Sequence, residues 1–243
     1  MTPTLPLYLP VSFGLITCIT LGFVYWILRQ SNATGTRQRT LAITLALFGW
    51  LLVQAVLPLA GLYEPDPMVA PPRIIVLGIL PAVFAILFLM ITPVGRRFTT
   101  SLSLVAMTYL SVVRVAVELV LYGLFTEKLV PELMTFEGRN FDILAGLTAP
   151  IVAYLFATGR LSRRELLVWN VVCLGLLINI VVNALLSAPT PFQQFAFEQP
   201  NLAIAYFPFS WLPTFVVPVV MLCHLVSIRQ LAGRAVVKQP LRV

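Results

Sequence analysis

The chain has 243 residues, 59% hydrophobic and only 10% charged, where soluble domains carry about 25% charged residues, so an ordinary soluble domain is excluded. The net charge of +7 does not indicate nucleic acid, because the basic residues fall in short groups between apolar runs and form no basic face or motif. Cys18, Cys173 and Cys223 lie inside apolar runs without C-x-x-C spacing, which argues against a disulfide framework or a zinc site.

Apolar runs long enough to cross a bilayer recur along the chain and predict an all-α polytopic membrane protein, a single transmembrane domain over residues 1–243 folded as a seven-helix bundle. The spans are read at 7–28, 41–62, 74–92, 100–125, 142–158, 165–187 and 204–228. Residues 1–10 lack Lys and Arg and the first apolar run continues to Leu28, so it is read as a span and not as a cleaved signal peptide. It ends in Tyr25-Trp26 before Arg29, where amphipathic rings and cations settle at headgroup level. The loop from Glu64 to Pro72 is proline-rich and is not helical throughout. The fifth span carries the small residues Ala145, Gly146 and Ala149 with Pro150, a composition that lets helices approach closely. The seventh carries Pro208, Pro213 and Pro218 and is expected to be kinked or locally unwound.

Loop charge alternates. Arg29, Arg37, Arg39, Arg96, Arg97, Arg160, Arg163, Arg164, Arg229, Arg234, Lys238 and Arg242 fall on one side; the opposite loops hold Arg73, Lys128 and Arg139 among seven acidic residues. The positive-inside rule places the N-terminus outside and the C-terminus in the cytoplasm of a plasma (inner) membrane. The basic tail from Ala232 is suited to resting on anionic lipid.

Two charges interrupt the fourth span. Arg114 and Glu118 are four apart on one helix face, and each costs about 2.5 to 3.5 kcal/mol at membrane depth on insertion scales. Ser111, Arg114, Glu118 and Tyr122 form one stripe. Counting 1.5 Å per residue places Arg114 and Asn179 at about 18 Å and Glu118 and Asn183 at about 24 Å from the cytoplasmic edge. Gln54 falls at a similar level and Ser210 with Trp211 near the outer surface, so a polar layer is expected in the outer leaflet. The fourth and sixth spans should then face each other through Arg114, Glu118, Asn179 and Asn183. Above this layer, Glu137, Arg139, Asn140 and Asp142 belong to a loop expected to act as a lid, in which Glu137 and Arg139 close over the pocket or pair with Arg114 and Glu118 and Asn140 or Asp142 caps the fifth helix.

Several chemistries are excluded. Lys128 and Lys238 are the only lysines and lie outside the spans, so a retinal Schiff base has no partner. His224 is the only histidine, too few for zinc hydrolase or haem ligation, and it is read as a packing residue. No cofactor, metal or catalytic constellation is read. The residues favour a binding protein, a transporter or receptor-like sensor for a small or lipid-like anionic ligand held at Arg114, Glu118, Asn179, Asn183, Gln54, Ser210, Trp211 and Tyr122. The alternatives are an intramembrane enzyme on a lipid-linked or prenyl-type substrate, with Glu118 or Asp142 as acid or base, and a structural subunit of a membrane complex. The implied partners are membrane lipid, the ligand, and a membrane-embedded protein or second copy, with no nucleic acid.

Overall fold

The computed structural model describes residues 5–65 and 71–233. Asp66 in the proline-rich loop and the tail residues Arg234, Lys238 and Arg242 lie outside the described residues. The fold is all-α, with no strand among the described residues. In chain order, α1 (Tyr8–Arg29), a short α2 (Thr34–Gln38) and α3 (Thr40–Leu59) come first. A π-helical turn, Ile75–Ile79, then runs into α4 (Leu80–Ile91), and α5 (Pro93–Thr100) follows at an 84° bend. Next come α6 (Leu104–Leu110), α7 (Val113–Thr126), α8 (Asp142–Ala157) and α9 (Arg163–Leu186); a second π-helical turn, Leu212–Val216, enters α10 (Val217–Ala232).

Among the described residues five helices are long and apolar enough to cross a membrane: α1, α3, Leu104–Thr126, α9 and Leu212–Ala232; the bent pair at α4 and α5 makes a sixth if taken as one span. α8 is apolar but has only 16 residues, about 24 Å of helix against a hydrocarbon core of about 30 Å. On α3, Leu41, Leu45, Phe48, Leu52, Val56 and Leu59 are all exposed. Their steps of three and four form a continuous apolar stripe, larger than a water-facing surface carries without a partner. Such faces are compatible with a membrane protein.

The ends of these helices follow from local sequence. The third expected span does not stop in a loop: Thr92 leaves the helix, its Oγ1 accepts the N–H of Gly95 at 3.0 Å, and Pro93 starts α5. A threonine cap followed by proline at the first helical position sets a new helix direction. α9 begins with a reciprocal capping box between Ser162 and Glu165. The seventh expected span begins late. Residues 203–211 are not part of the long helix; instead the N–H groups of Leu202 and Ala203 donate to Leu129 O, fastening this segment to the loop after α7. Pro208 contributes to the delay by disfavouring helical backbone at the residue before it, whereas Pro213 sits in the first turn of the helix, where its missing N–H costs nothing.

Two close approaches place the interior. The fourth expected span is broken at Ser111 and Val112, where the N–H groups of Ser111, Val112 and Arg114 each bond three residues back, the tighter pattern of a 3₁₀ turn. α8 presses on this break. Its buried face is Asp142, Ala145, Gly146, Ala149 and Ala153, and a Cβ on Gly146 would stand 2.8 Å from Val115 N and 2.7 Å from Val115 Cγ2. The second approach joins the two π-helical turns, where a Cβ on Gly78 would lie 2.5 Å from Thr214 Cγ2. Replacing Gly146 by valine should destabilise the protein by about 1 to 3 kcal/mol, because the added carbons have no space. Gly175→Ala, at a helical site with nothing within 4 Å of the new Cβ, should leave the melting temperature unchanged or raise it slightly. Thermal melts of both variants in detergent check the pair.

Candidate functional site

Arg114 lies in the first turn of α7 and is 2% exposed. Its partner is Asp142, not Glu118: Nε donates to Oδ2 at 2.6 Å and Nη2 to Oδ1, closing a bidentate fork. The i, i+4 spacing that puts Arg114 and Glu118 on one helix face therefore does not make them partners. The Gly146 contact explains the pairing, since Asp142 stands one helical turn before Gly146 on the same face, and docking that face on the Ser111 break delivers the carboxylate to Arg114. Planar guanidinium and carboxylate then meet in the two-point geometry that arginine favours.

Both terminal nitrogens of the guanidinium make a further bond. Nη2 reaches Cys173 O on α9 at 3.2 Å, and Nη1 donates to His224 Nε2 on α10 at 3.1 Å. Because Nε2 accepts, Nδ1 carries the ring proton and donates to Asn170 Oδ1 at 2.9 Å; Asn170 Nδ2 donates in turn to Leu166 O at 2.9 Å. Every link has a donor and an acceptor. His224 and Asn170 were not assigned to the site from sequence. The signal available was their chemistry, polar residues within apolar spans, but the spacing along the chain does not reveal that they share a level with Arg114.

Glu118, one turn beyond Arg114, is 1% exposed. Its Oε1 accepts from Asn140 Nδ2 at 2.5 Å, while Oε2 is buried with no partner. Asn140 is held from three directions: Nδ2 also donates to Met134 O at 3.0 Å, and Oδ1 accepts the N–H of Asp142 at 3.0 Å. Asn140 thus serves the start of α8, and Asp142 does not cap it. The loop expected as a lid is divided. Asn140 and Asp142 turn inward, whereas the side chains of Glu137 and Arg139 are exposed and pair with neither Arg114 nor Glu118.

The asparagines of α9 do not meet Arg114 and Glu118 either. Asn179 is exposed and donates to Arg139 O at 2.8 Å, and Asn183, which is buried, donates to Asn179 Oδ1 at 3.4 Å. They hold the loop before α8 in place, and α9 reaches Arg114 through the Cys173 carbonyl. Tyr122 stacks on Phe136 of that loop with ring centroids 4.9 Å apart.

Gln54, Ser210 and Trp211 form a separate cluster. Gln54 is fully buried; Nε2 donates to Leu77 O of the first π-helical turn at 3.1 Å and Oε1 accepts from Tyr63 OH at 2.6 Å. Burial pushes the Tyr63 hydroxyl up to about 12, against the opposing effect of its bond to Gln54, so the phenol remains a donor at neutral pH. Ser210 Oγ donates to Gln54 O at 3.4 Å and Trp211 Nε1 to Leu51 O at 2.9 Å. These bonds tie α3 to both π-helical turns and do not reach Arg114.

Between α4, α7, α9 and α10 lies a cavity of about 150 Å³. Glu118 and Asp142 are the two polar residues of its lining; Val117, Leu121, Leu177, Ile180 and Met221 are among the apolar ones. Asp142 is engaged by Arg114, so of the two polar residues of the lining Glu118 is the one with an unpartnered atom, its buried Oε2. The rim includes Val83 and Leu185, which are exposed on the outer faces of α4 and α9.

Removing one member of the fork leaves a buried charge without its partner, which typically costs about 3 to 5 kcal/mol. Arg114→Leu and Asp142→Leu should therefore each lower the melting temperature strongly, and the Arg114→Leu/Asp142→Leu double variant should recover most of the loss. Arg114→Leu/Glu118→Leu should not. Thermal unfolding of the four proteins in one detergent measures the coupling, and recovery in the second double variant instead of the first would reject the assignment.

No curated protein and no solved structure matches the chain. The family described as a domain of unknown function (DUF8737) matches residues 71–232. This range takes in Arg114, Glu118, Asn140, Asp142, Asn170 and His224 and leaves out α1 to α3 with Gln54. By that match over more than half its length, the chain belongs to the DUF8737 family.

Proposed function

We propose that this is a seven-helix membrane protein that binds a small, lipid-like ligand in the cavity beside Glu118, as a transporter or receptor-like sensor. Seven spans result when α4 with α5 counts as one and α8 as a short one, completed in depth by the inward-turned loop before it. The N-terminus is placed outside and the C-terminus in the cytoplasm, which the alternation of basic and acidic loops supports. A plasma (inner) membrane is the location that goes with this orientation.

The observation that carries the ligand reading is the buried, unpartnered Oε2 of Glu118 on an apolar cavity with an apolar rim. Buried polar atoms are nearly always satisfied, so an unpartnered one on a cavity-lining residue marks a place where another molecule completes the bonding. The volume supports a small occupant: an apolar cavity of about 150 Å³ takes up benzene. A longer chain would leave past Val83 and Leu185 into lipid. Arg114, by contrast, has its carboxylate already, and an anionic ligand there would have to displace Asp142. The lipid-like part of the expected ligand is therefore kept, and its polar contact moves to Glu118.

Two measurements test this. In a background lacking Cys18, Cys173 and Cys223, Glu137→Cys should react with an impermeant thiol reagent on intact cells and Arg160→Cys only after permeabilisation; equal labelling would reject the orientation. Ala184 lines the cavity, and Ala184→Phe should fill it. Protein extracted from native membranes should carry a bound amphiphile detectable by native mass spectrometry, and the Ala184→Phe protein should not. Equal occupancy of the two would reject the cavity as the binding site.

A further inference from the structure

We infer that the ligand's polar end is a hydrogen-bond donor, an O–H or N–H at the end of an apolar chain, and not a carboxylate, phosphate or ester. This rests on the proposed binding cavity and adds the chemistry of the group it selects. The wall is asymmetric in its free bonding capacity. Asn140 spends both protons of Nδ2, one on Glu118 Oε1 and one on Met134 O, and its Oδ1 receives the N–H of Asp142. The orientation of the amide is therefore set by three partners, and no N–H of Asn140 is left for a ligand. Arg114, the nearest cation, directs its fork at Asp142 and is absent from the cavity lining.

What remains is acceptor capacity. Both polar residues of the lining are carboxylic acids, and Glu118 Oε2 is the atom without a partner. Against the carboxylate form of Glu118 an anionic head would meet a like charge with no donor to offset it, and an ester carbonyl would meet acceptor against acceptor. An alcohol or amine supplies the missing donor. Its first few carbons would fill the apolar part of the cavity, and the rest of the chain would pass Val83 and Leu185. The discrimination is of the kind in which a site built to bond a polar group rejects analogues that lack it, because its own buried atom stays unpaired.

The test uses the full chain in detergent with four probes of equal chain length: decanol, decylamine, sodium decanoate and methyl decanoate, read by thermal shift and native mass spectrometry. Decanol or decylamine is expected to bind at least tenfold more tightly than decanoate and methyl decanoate. A large lead of decylamine over decanol identifies an amine-headed ligand, and parity identifies an alcohol. Glu118→Gln is nearly isosteric and keeps an oxygen for Asn140, but it presents an N–H where Oε2 stood. In that variant decylamine should weaken and methyl decanoate should gain, narrowing or inverting their order.

Equal binding of all four probes to the native protein, or an unchanged order in Glu118→Gln, overturns the donor assignment. If the Gln variant does not fold, the native ranking alone decides. Ala184→Phe separates the two levels: loss of all binding in that variant with no ranking among probes leaves the cavity standing and removes only the donor inference. Survival of all binding there, or no binding of any probe to the native protein, removes the cavity reading itself.

Discussion

The pairing of Arg114 with Asp142 is the constraint on which the rest of this interior depends. A guanidinium within an apolar bundle is tolerable only when its charge and each of its nitrogens find partners. Here Asp142, His224 and the Cys173 carbonyl provide them from α8, α10 and α9. Four helices are thereby brought to one level. The pairing also dictates the loop before α8. Asp142 is the first residue of α8, so placing it beside Arg114 draws the end of that helix and the chain before it into the bundle. Asn140 is carried inward as well, and α8 starts within the bundle.

Glu118 takes its character from what Arg114 does. With Asp142 occupying the fork, Glu118 is left with Asn140 on one oxygen and nothing on the other. Two carboxylates one helical turn apart in depth thus acquire different tasks. Asp142 is a fixed counter-ion, and Glu118 is an acceptor held in place and available. The difference is set by neighbours, because both residue types have the same intrinsic chemistry.

Part of the cavity wall is built from the least regular parts of the fold. Ile79 of the first π-helical turn and Leu212 and Pro213 of the second line it, with Pro218 just beyond. A π-helical turn shifts the backbone register and releases carbonyls from the α-helical ladder. Leu77 O is taken up by Gln54 and Thr214 O by Trp50 Nε1 at 3.0 Å. The cluster around Gln54 is thus the support of the cavity wall. Its residues have polar side chains at membrane depth for that structural reason, with no contact to a ligand required.

Hydropathy alone was enough to read a helical membrane protein, because a backbone within lipid must satisfy its hydrogen bonds within each segment and so writes long apolar runs into the chain. The position of the polar centre was legible too, since Arg114 and Glu118 are conspicuous against such runs. Their partners were not. The i, i+4 spacing of Arg114 and Glu118 makes them neighbours on a cylinder, but which carboxylate the guanidinium meets depends on the rotation and depth of α8. That is settled by the fit of Gly146 onto the break at Ser111. Counting residues for depth put Asn179 and Asn183 level with the charges, yet depth says nothing of azimuth, and those side chains turned to the loop. His224 and Asn170, more than 50 residues apart in sequence, share a bond only because α9 and α10 lie side by side. The cavity is the furthest from anything a sequence carries. It is the space left where four helices fail to fill one another's surfaces, and only their tertiary arrangement decides that.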